Sequence, residues 1–311
     1  MAIFRQFQNQ QEFMVSLSNQ SMTFILEPPF ESLRVTFKSF NYNTNFILNQ
    51  PTIDKMIILW YTEKLTKIKK TSLRRANTMG MIQSMVMEGP RFLELAWHNF
   101  QASRNRHPGM PADEIFCLVH GFTARAGSME KIEQALVSNG CQVYSFQLGP
   151  LGLLNIGNIL ESAALIESQI KKIGCKKINF IAHSMGGLIV FAALLMKGLI
   201  NCVEVKKVIL LGSPINGVTL ASLASKFLGK YLPCLRQMSP GSSLICELHQ
   251  RLEKFQQKTQ FFCISGDSDL IVPTEATLLP NAINIKLRGI GHSGLVTHPK
   301  AIATVCQLAL N

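Results

Sequence analysis

From residue 112 onward the apolar positions come in blocks. Ile115–Val119 is a short continuous apolar run and Val143–Phe146 is a second. Runs of this length and continuity suit strands covered on both faces. Lys177–Ala182 (KINFIA), Val205–Leu211, Phe261–Ser265 and Ile283–Leu287 bring the expected strands to six. Between them the period changes. Ile159, Ala163, Ile166, Ile170 and Ile173 mark an amphipathic helix, Gly186–Lys197 a helix apolar on every side, and Pro299–Leu310 a closing helix with Pro in its first turn. Strands alternating with helices predict an α/β domain: a mostly parallel sheet, right-handed crossovers and helices on both faces.

Residues 213–258 break this rhythm. The stretch is too long for a plain connection and is rich in Leu, Ser and Lys, so a helical insertion over one end of the sheet is expected. Within it Leu220, Leu223, Ala224, Phe227, Leu228 and Leu232 fall at helical spacing, interleaved with Lys226 and Lys230. Such a stripe suits packing against the sheet. It equally suits a lid whose apolar face meets an acyl chain or a lipid boundary, with the lysine stems covering apolar area.

Upstream of residue 112 the pattern is weaker. Residues 1–50 are rich in Gln, Asn, Phe and Ser, with only a short alternation at Leu33-Arg34-Val35-Thr36-Phe37. Pro90 with Leu93, Ala96, Trp97 and Phe100 predicts a helix over 90–104, and residues 105–113 read as a loop. The expected organisation is therefore an N-terminal extension of uncertain fold over 1–111 and an α/β domain over 112–311.

Composition narrows the class. The chain has 311 residues, of which 47% are hydrophobic and 16% charged, which excludes an intrinsically disordered chain. The net charge is +12, but it is spread: residues 1–111 hold 13 Lys and Arg against 7 Asp and Glu, and residues 112–311 hold 18 against 12. One cluster stands out, Lys64, Lys67, Lys69, Lys70, Arg74 and Arg75, preceded by Ile57, Ile58, Leu59 and Trp60. It suits a solvated face or peripheral contact with an anionic membrane. No base-stacking aromatic pattern accompanies it, so a nucleic-acid partner is not expected.

The eight cysteines are spread singly, with no C-x-x-C, unlike a disulfide framework or a zinc site. They read as small buried hydrophobes in a reducing compartment. The N-terminus carries no apolar h-region and the longest early apolar run is Met56–Tyr61, so a cytoplasmic or at most peripheral protein is expected, without signal peptide or spanning helix.

The strongest chemical signal is Phe180-Ile181-Ala182-His183-Ser184-Met185-Gly186-Gly187: an apolar strand, a small-x-Ser-x-small turn, then a helix. A nucleophile on so tight a turn needs small neighbours two positions to either side, because larger ones would clash. The helix N-terminus also favours developing negative charge. An ordinary helix cap is the plainer explanation of Ser184, but it leaves the remaining pieces unexplained. Leu118-Val119-His120-Gly121-Phe122 ends the first strand of the regular half, where a loop can aim the Phe122 N–H at an oxyanion while Met185 supplies a second N–H. His120 reads as a structural histidine of that loop.

A serine hydroxyl needs a base, and the base an orienting carboxylate. Ser265-Gly266-Asp267-Ser268-Asp269-Leu270-Ile271-Val272-Pro273 follows the fifth strand and Gly289-Ile290-Gly291-His292-Ser293-Gly294 the sixth. Asp269, deeper in its loop than Asp267, is the preferred acid and His292, between small residues, the preferred base. His183, beside Ser184, reads as structural. No cofactor is implied and no metal-ligand spacing occurs.

With these residues in view, positions 112 to 310 resemble the α/β-hydrolase superfamily, and within it bacterial triacylglycerol lipases and esterases. Val119-His120-Gly121-Phe122 resembles their oxyanion segment, and Ala182-His183-Ser184-Met185-Gly186-Gly187 the elbow of small lipases that also begin with Ala. Leu211-Gly212-Ser213-Pro214-Ile215-Asn216-Gly217-Val218 is similar to the segment after the next strand, with Ile215 where His is usual. Met238–Leu244 resembles their Pro-Gly-Ser stretch, Gly266–Pro273 the acid loop with its carboxylate at Asp269, and Gly291-His292 the histidine loop. The resemblance implies an α/β-hydrolase fold with a lid-like insertion and a serine hydrolase of carboxylic esters, lipid or acyl esters foremost. Its triad would be Ser184, Asp269 and His292, its oxyanion donors Phe122 and Met185. The same triad also serves acyl transfer, thioester hydrolysis and peptide hydrolysis. A non-catalytic membrane or protein interaction module, with residues 1–80 as the working part, is opposed by the intact Ser-Asp-His set. A nucleotide-binding protein is opposed by Gly149-Pro150-Leu151-Gly152, which lacks the G-x-G-x-x-G spacing.

Overall fold

The computed structural model describes residues 15–18, 21–25, 34–38, 114–149, 155–253 and 259–311, the first three stretches as backbone alone and Phe227 without its side chain. The chain divides into two compact units, Met1–Ile53 and Asp54–Asn311. The boundary expected near 111, the helix expected over 90–104 and the Lys64–Arg75 cluster all lie outside the described residues.

In the first unit, β1 (Val15–Ser18), β2 (Ser21–Ile25) and β3 (Arg34–Lys38) form an antiparallel meander. Ser18 pairs with Ser21 in the first ladder, and Ser21 with Lys38 in the second. Residues 34–37 of the alternation noted in the sequence lie in β3. The other two strands carried no signal strong enough to predict them.

The second unit holds a six-stranded sheet in the order β5-β4-β6-β7-β8-β9. Its strands are β4 (Glu114–Val119), β5 (Val143–Ser145), β6 (Lys177–His183), β7 (Glu204–Leu211), β8 (Gln260–Gly266) and β9 (Ile283–Leu287). Every pairing is parallel. These are the six predicted strands, with ends moved by a residue or so. The order reverses at β4, which has β5 on one side and β6 on the other, so the ends of β4 and β6 form the crevice where open α/β sheets bind ligands.

Alternate residues of β4 enter opposite cores. Ile115, Cys117 and Val119 pack with α2 (Ile159–Ile173) and α3 (Met185–Leu195). Phe116 and Leu118 pack with α1 (Glu130–Ser138) and, further on, with α8 (Gly294–Thr297) and α9 (Pro299–Leu310). Helices therefore cover both faces, as expected. Helix α2 starts where Asn158 Oδ1 accepts the Leu160 N–H at 2.8 Å and stops at Gly174, whose φ is 71°. Helix α3 is buried along nearly its whole length, which its all-round apolar sequence demands. Helix α1 was not predicted. It buries only Ile132 and Leu136, too little for a readable stripe.

The insertion forms α4 (Thr219–Leu228), α5 (Pro233–Gln237) and α6 (Ser243–Glu253). The short α7 (Thr274–Thr277) follows β8. Ala221, Leu232, Cys234, Leu235, Leu244, Ile245 and Leu248 are buried in the same core as α2 and α3. Leu220, Ala224 and Leu228 pack partly against it, whereas Leu223 is 56% exposed. The predicted stripe is thus divided between core and solvent. Arg251 on α6 donates to the Leu195 carbonyl at the end of α3, 3.1 Å away. All eight cysteines are free, with Cys117, Cys175, Cys234 and Cys263 buried. Cys202 and Cys246 are exposed, which corrects the expectation of uniform burial. Among the described residues no helix is long and apolar enough to cross a membrane.

Candidate active site

Four loops follow the carboxyl ends of β4, β6, β8 and β9. Ser184 sits between β6 and α3 with φ 55° and ψ −128°, a backbone state that a residue with a Cβ adopts only under strain. The surroundings hold it there. The Ser184 N–H donates to the Leu211 carbonyl at 2.8 Å, tying the turn to the end of β7. A Cβ on Gly186 would run into the Val119 carbonyl, so the small residue two positions after the serine is needed for close approach of β4. A Cβ on Gly121 would stand 2.8 Å from Ser184 Cβ and 3.4 Å from its Oγ. The bare Gly121 backbone therefore lies directly against the serine side chain.

Beyond Gly121 the chain makes a clamped turn. Thr123 has φ 54°, and it is one of three non-glycine residues with positive φ among those described, Ser184 being another. Its N–H donates to the Asn155 carbonyl at 2.9 Å, the Asn155 N–H returns to the Ala124 carbonyl at 3.2 Å, and Thr123 Oγ1 donates to the Phe122 carbonyl at 2.7 Å. Within this clamp, no acceptor among the described residues takes the Phe122 N–H. The same holds for the Met185 N–H at the first position of α3.

Asp269 and His292 meet. His292 Nδ1 lies 2.6 Å from Asp269 Oδ2, and Asp269 Oδ1 accepts the N–H groups of Ile271 at 2.9 Å and Val272 at 2.8 Å. The carboxylate thus has partners on both oxygens, and its side chain is only 1% exposed, against 11% for His292. With Nδ1–H bonded to a carboxylate, Nε2 carries the lone pair of the neutral ring. Gly212, at φ 56° after β7, backs the pair: a Cβ there would reach 3.2 Å from His292 Nδ1 and 3.3 Å from Asp269 Oδ2.

Asp267 does something else. It is exposed, and its Oδ1 accepts the Gly289 N–H at 2.7 Å and the Ser268 hydroxyl at 3.1 Å, bracing the turn that leads to His292.

Two further histidines are buried here. His120 Nε2 accepts the Leu148 N–H at 3.3 Å, so Nδ1 carries the proton and faces the Gly121 carbonyl, also 3.3 Å away. Burial pushes its pKa down to about 4, so it holds the loop as a neutral ring. His183 Nε2 lies 3.1 Å from the His292 carbonyl, and the two rings stand 4.7 Å apart. Burial, and to a lesser degree the neighbouring His292, hold its pKa well below the ordinary value.

Sequence reasoning missed three of these contacts: Gly212 behind the acid–histidine pair, Asn155 on the turn after β4, and the bond from His183 to the His292 loop. Only Gly212 carried a signal, a glycine immediately after a strand. Among the described residues no three His, Cys, Asp or Glu side chains converge as a metal would need. The groove along Ser243, Cys246, Glu247, Gln250 and Arg251 on α6 includes none of the residues of these loops.

Known proteins share this fold. Residues 154–273 match the family described as "Putative serine esterase (DUF676)", a stretch that takes in Ser184 and Asp269 and stops short of His292. The mature-form lipase BlEst2 of Bacillus licheniformis is similar in structure, with a TM-score of 0.53, 18% identity and coverage of 66% of this chain and 95% of that one. A monoacylglycerol lipase of Paleococcus ferrophilus has a TM-score of 0.50 at 18% identity, covering 67% and 96%. Lipase B of Aspergillus fumigatus has 0.53 at 17%, covering 65% and 54%. At such identities what is shared is the α/β-hydrolase fold.

Proposed function

We propose that this chain belongs to the α/β-hydrolase superfamily and is a serine hydrolase that cleaves carboxylic esters, lipid or acyl esters foremost. The observation that carries the reading is a strained Ser184 at the crevice formed by β4 and β6, together with a buried Asp269–His292 couple past β8 and β9 whose Nε2 carries the lone pair. In this reading Ser184 Oγ attacks the ester carbonyl while His292 Nε2 takes its proton. Asp269 keeps the imidazole in the Nδ1–H tautomer and stabilises the imidazolium. The N–H groups of Phe122 and Met185 receive the oxyanion, which they can do without breaking any bond among the described residues. The imidazolium returns its proton to the leaving alkoxide. Water, deprotonated by the same nitrogen, then releases the acid from the acyl-enzyme.

A lipid or acyl substrate is supported by the names of the similar structures and by the insertion, where Leu223 and Tyr231 are exposed beside Lys226 and Lys230. The test has two arms. A fluorophosphonate probe labels the wild type and fails to label Ser184→Ala; labelling that survives the substitution overturns the nucleophile. Lengthening the acyl chain of a soluble ester from C4 to C8 raises kcat/KM, by up to about two hundred-fold if each of the four methylenes gains ~0.8 kcal/mol on burial. A preference for acetate restricts the reading to small esters.

A further inference from the structure

The contact between His183 and His292 is not used in the chemistry above, yet it links the serine turn directly to the histidine loop. His183 ends β6 and is immediately followed by Ser184; His292 lies beyond β9, on the far side of the sheet order. His183 Nε2 reaches the main-chain carbonyl of His292 itself at 3.1 Å, and a carbonyl only accepts, so Nε2 carries a proton. The ring stands 4.7 Å from the His292 ring at an interplanar angle of 42°. Its other nitrogen, Nδ1, is buried with no hydrogen-bond partner among the described residues. A proton on Nδ1 would bury an unpaired N–H and a positive charge against the ring that must itself become positive during catalysis.

We propose that His183 is a positioning residue for His292, acting as the neutral Nε2–H tautomer: it fixes the backbone of the base to the strand that carries the nucleophile and backs the base's ring. The assignment rests on the serine-hydrolase reading for its consequence in catalysis, but not for the contact itself. Asp269 then holds the His292 side chain and His183 its main chain. The titratable groups around His183 are His292, with Asp269 behind it, and His120, which when protonated also disfavours protonation of His183.

The wild type tests the tautomer directly. Nitrogen-15 chemical shifts should show His183 neutral, with the proton on Nε2 and a lone pair on Nδ1, at every pH from 8 down to 5. A His183 that titrates near the ordinary histidine value, or that carries its proton on Nδ1, overturns the proposal. Substitution tests the positioning. In His183→Leu, apolar and close in bulk, the strongly downfield proton of the His292–Asp269 bond should move upfield or broaden. On a short soluble ester kcat should fall about tenfold, the loss of one hydrogen bond's differential, with KM within twofold. His183→Gln, whose amide N–H can reach the same carbonyl, should restore the downfield proton and most of kcat. An unchanged resonance in the Leu variant, or equal loss in Leu and Gln, shows that His183 merely fills space. If the resonance behaves as expected while fluorophosphonate fails to label Ser184, the positioning stands and the hydrolase reading falls.

Discussion

The turns that carry Ser184, Asp269 and His292 and the helices of the insertion differ in what holds them. The turns are set by backbone meeting backbone. Gly186 lets β4 approach, the bare Gly121 lies on the serine, Gly212 leaves room for the acid–histidine pair, and Asp269 is caught by two main-chain N–H groups. Each contact tolerates one residue type or two. Helices α4 to α6 are held by apolar area, where Leu, Ile and Cys share one core, and many residues could serve. Specific backbone contact leaves a motif in the sequence. Apolar area leaves only a stripe, which reads the same whether it faces a core or a lipid.

The sharpest way to break this comparison is within the acid loop, where two aspartates stand two residues apart. Asp269→Asn, which removes the charge that holds His292, should lower kcat on the order of 10³ to 10⁴-fold with ester as substrate. Asp267→Asn should cost less than about tenfold, since its exposed carboxylate braces the Gly289 N–H and the Ser268 hydroxyl and does not touch His292. If the ranking is reversed, the burial and hydrogen bonding of Asp269 do not mark the orienting acid.

Next in size is the insertion. Leu248 on α6 is buried in the main core. Leu248→Ala should therefore cost about 2 to 5 kcal/mol of unfolding free energy, measured by denaturant titration. Leu223→Ser, at an exposed position of the same insertion, should stay within about 0.5 kcal/mol. A cheap Leu248→Ala would mean that α6 rests loosely on the core and that the insertion behaves as a lid rather than as part of the domain.

Particular elements show how far the sequence carried. Strands β4 to β8 were legible because a parallel strand buried on both faces is largely apolar, and helix α3 because it is apolar all round. Strand β9 is exposed over most of its length and carries only the alternating Ile283, Ile285 and Leu287. Ser184, Asp269 and His292 could be named because each sits just past a predicted strand in a turn rich in small residues. Helix α1 was not legible, since two buried residues leave no stripe. Nor were β1 and β2, whose only legible neighbour was the alternation in β3. The Asn155 clamp on Thr123 and the His183 bond to His292 join residues 32 and 109 positions apart, the first through main-chain groups alone and the second to a main-chain carbonyl, which any residue type supplies.

The histidine loops also predict a pH dependence of stability. His120 is buried and neutral, with a folded pKa of about 4 against an ordinary 6.5. Between these values the unfolded chain binds a proton at this site and the folded one does not. The contribution is therefore complete above pH 6.5, is lost as pH falls toward about 4, and is constant below. Two and a half pH units correspond to about 3 kcal/mol. His183 is shifted in the same direction, so the measurement is the difference between wild type and His120→Gln, unfolded in denaturant at pH 7 and at pH 4.5. A difference that does not change with pH would mean that His120 is solvated in the folded protein.

The smallest effect bears most directly on backbone constraint. If the turn at Ser184 is held in place by its neighbours, the serine stores strain that the fold compensates elsewhere. A residue with a Cβ at φ 55° and ψ −128° costs about 1 to 3 kcal/mol, whereas glycine takes that state freely. Ser184→Gly should relieve the strain and lose part of the gain, about 0.5 to 1 kcal/mol, to the greater freedom of glycine in the unfolded chain. The expected net is a stabilisation of about 1 kcal/mol, a rise of about 2 to 4 °C in Tm for a domain of this size. Ser184→Ala keeps the Cβ and should show no such rise, so the two inactive variants separate strain from the loss of the hydroxyl. Asn281→Gly supplies the reference: φ there is 63°, but asparagine tolerates the left-handed region and the gain should be smaller. Should Ser184→Gly melt at or below Ser184→Ala, the turn is not strained, and the contrast between turns fixed by backbone and helices fixed by area loses its best-placed residue.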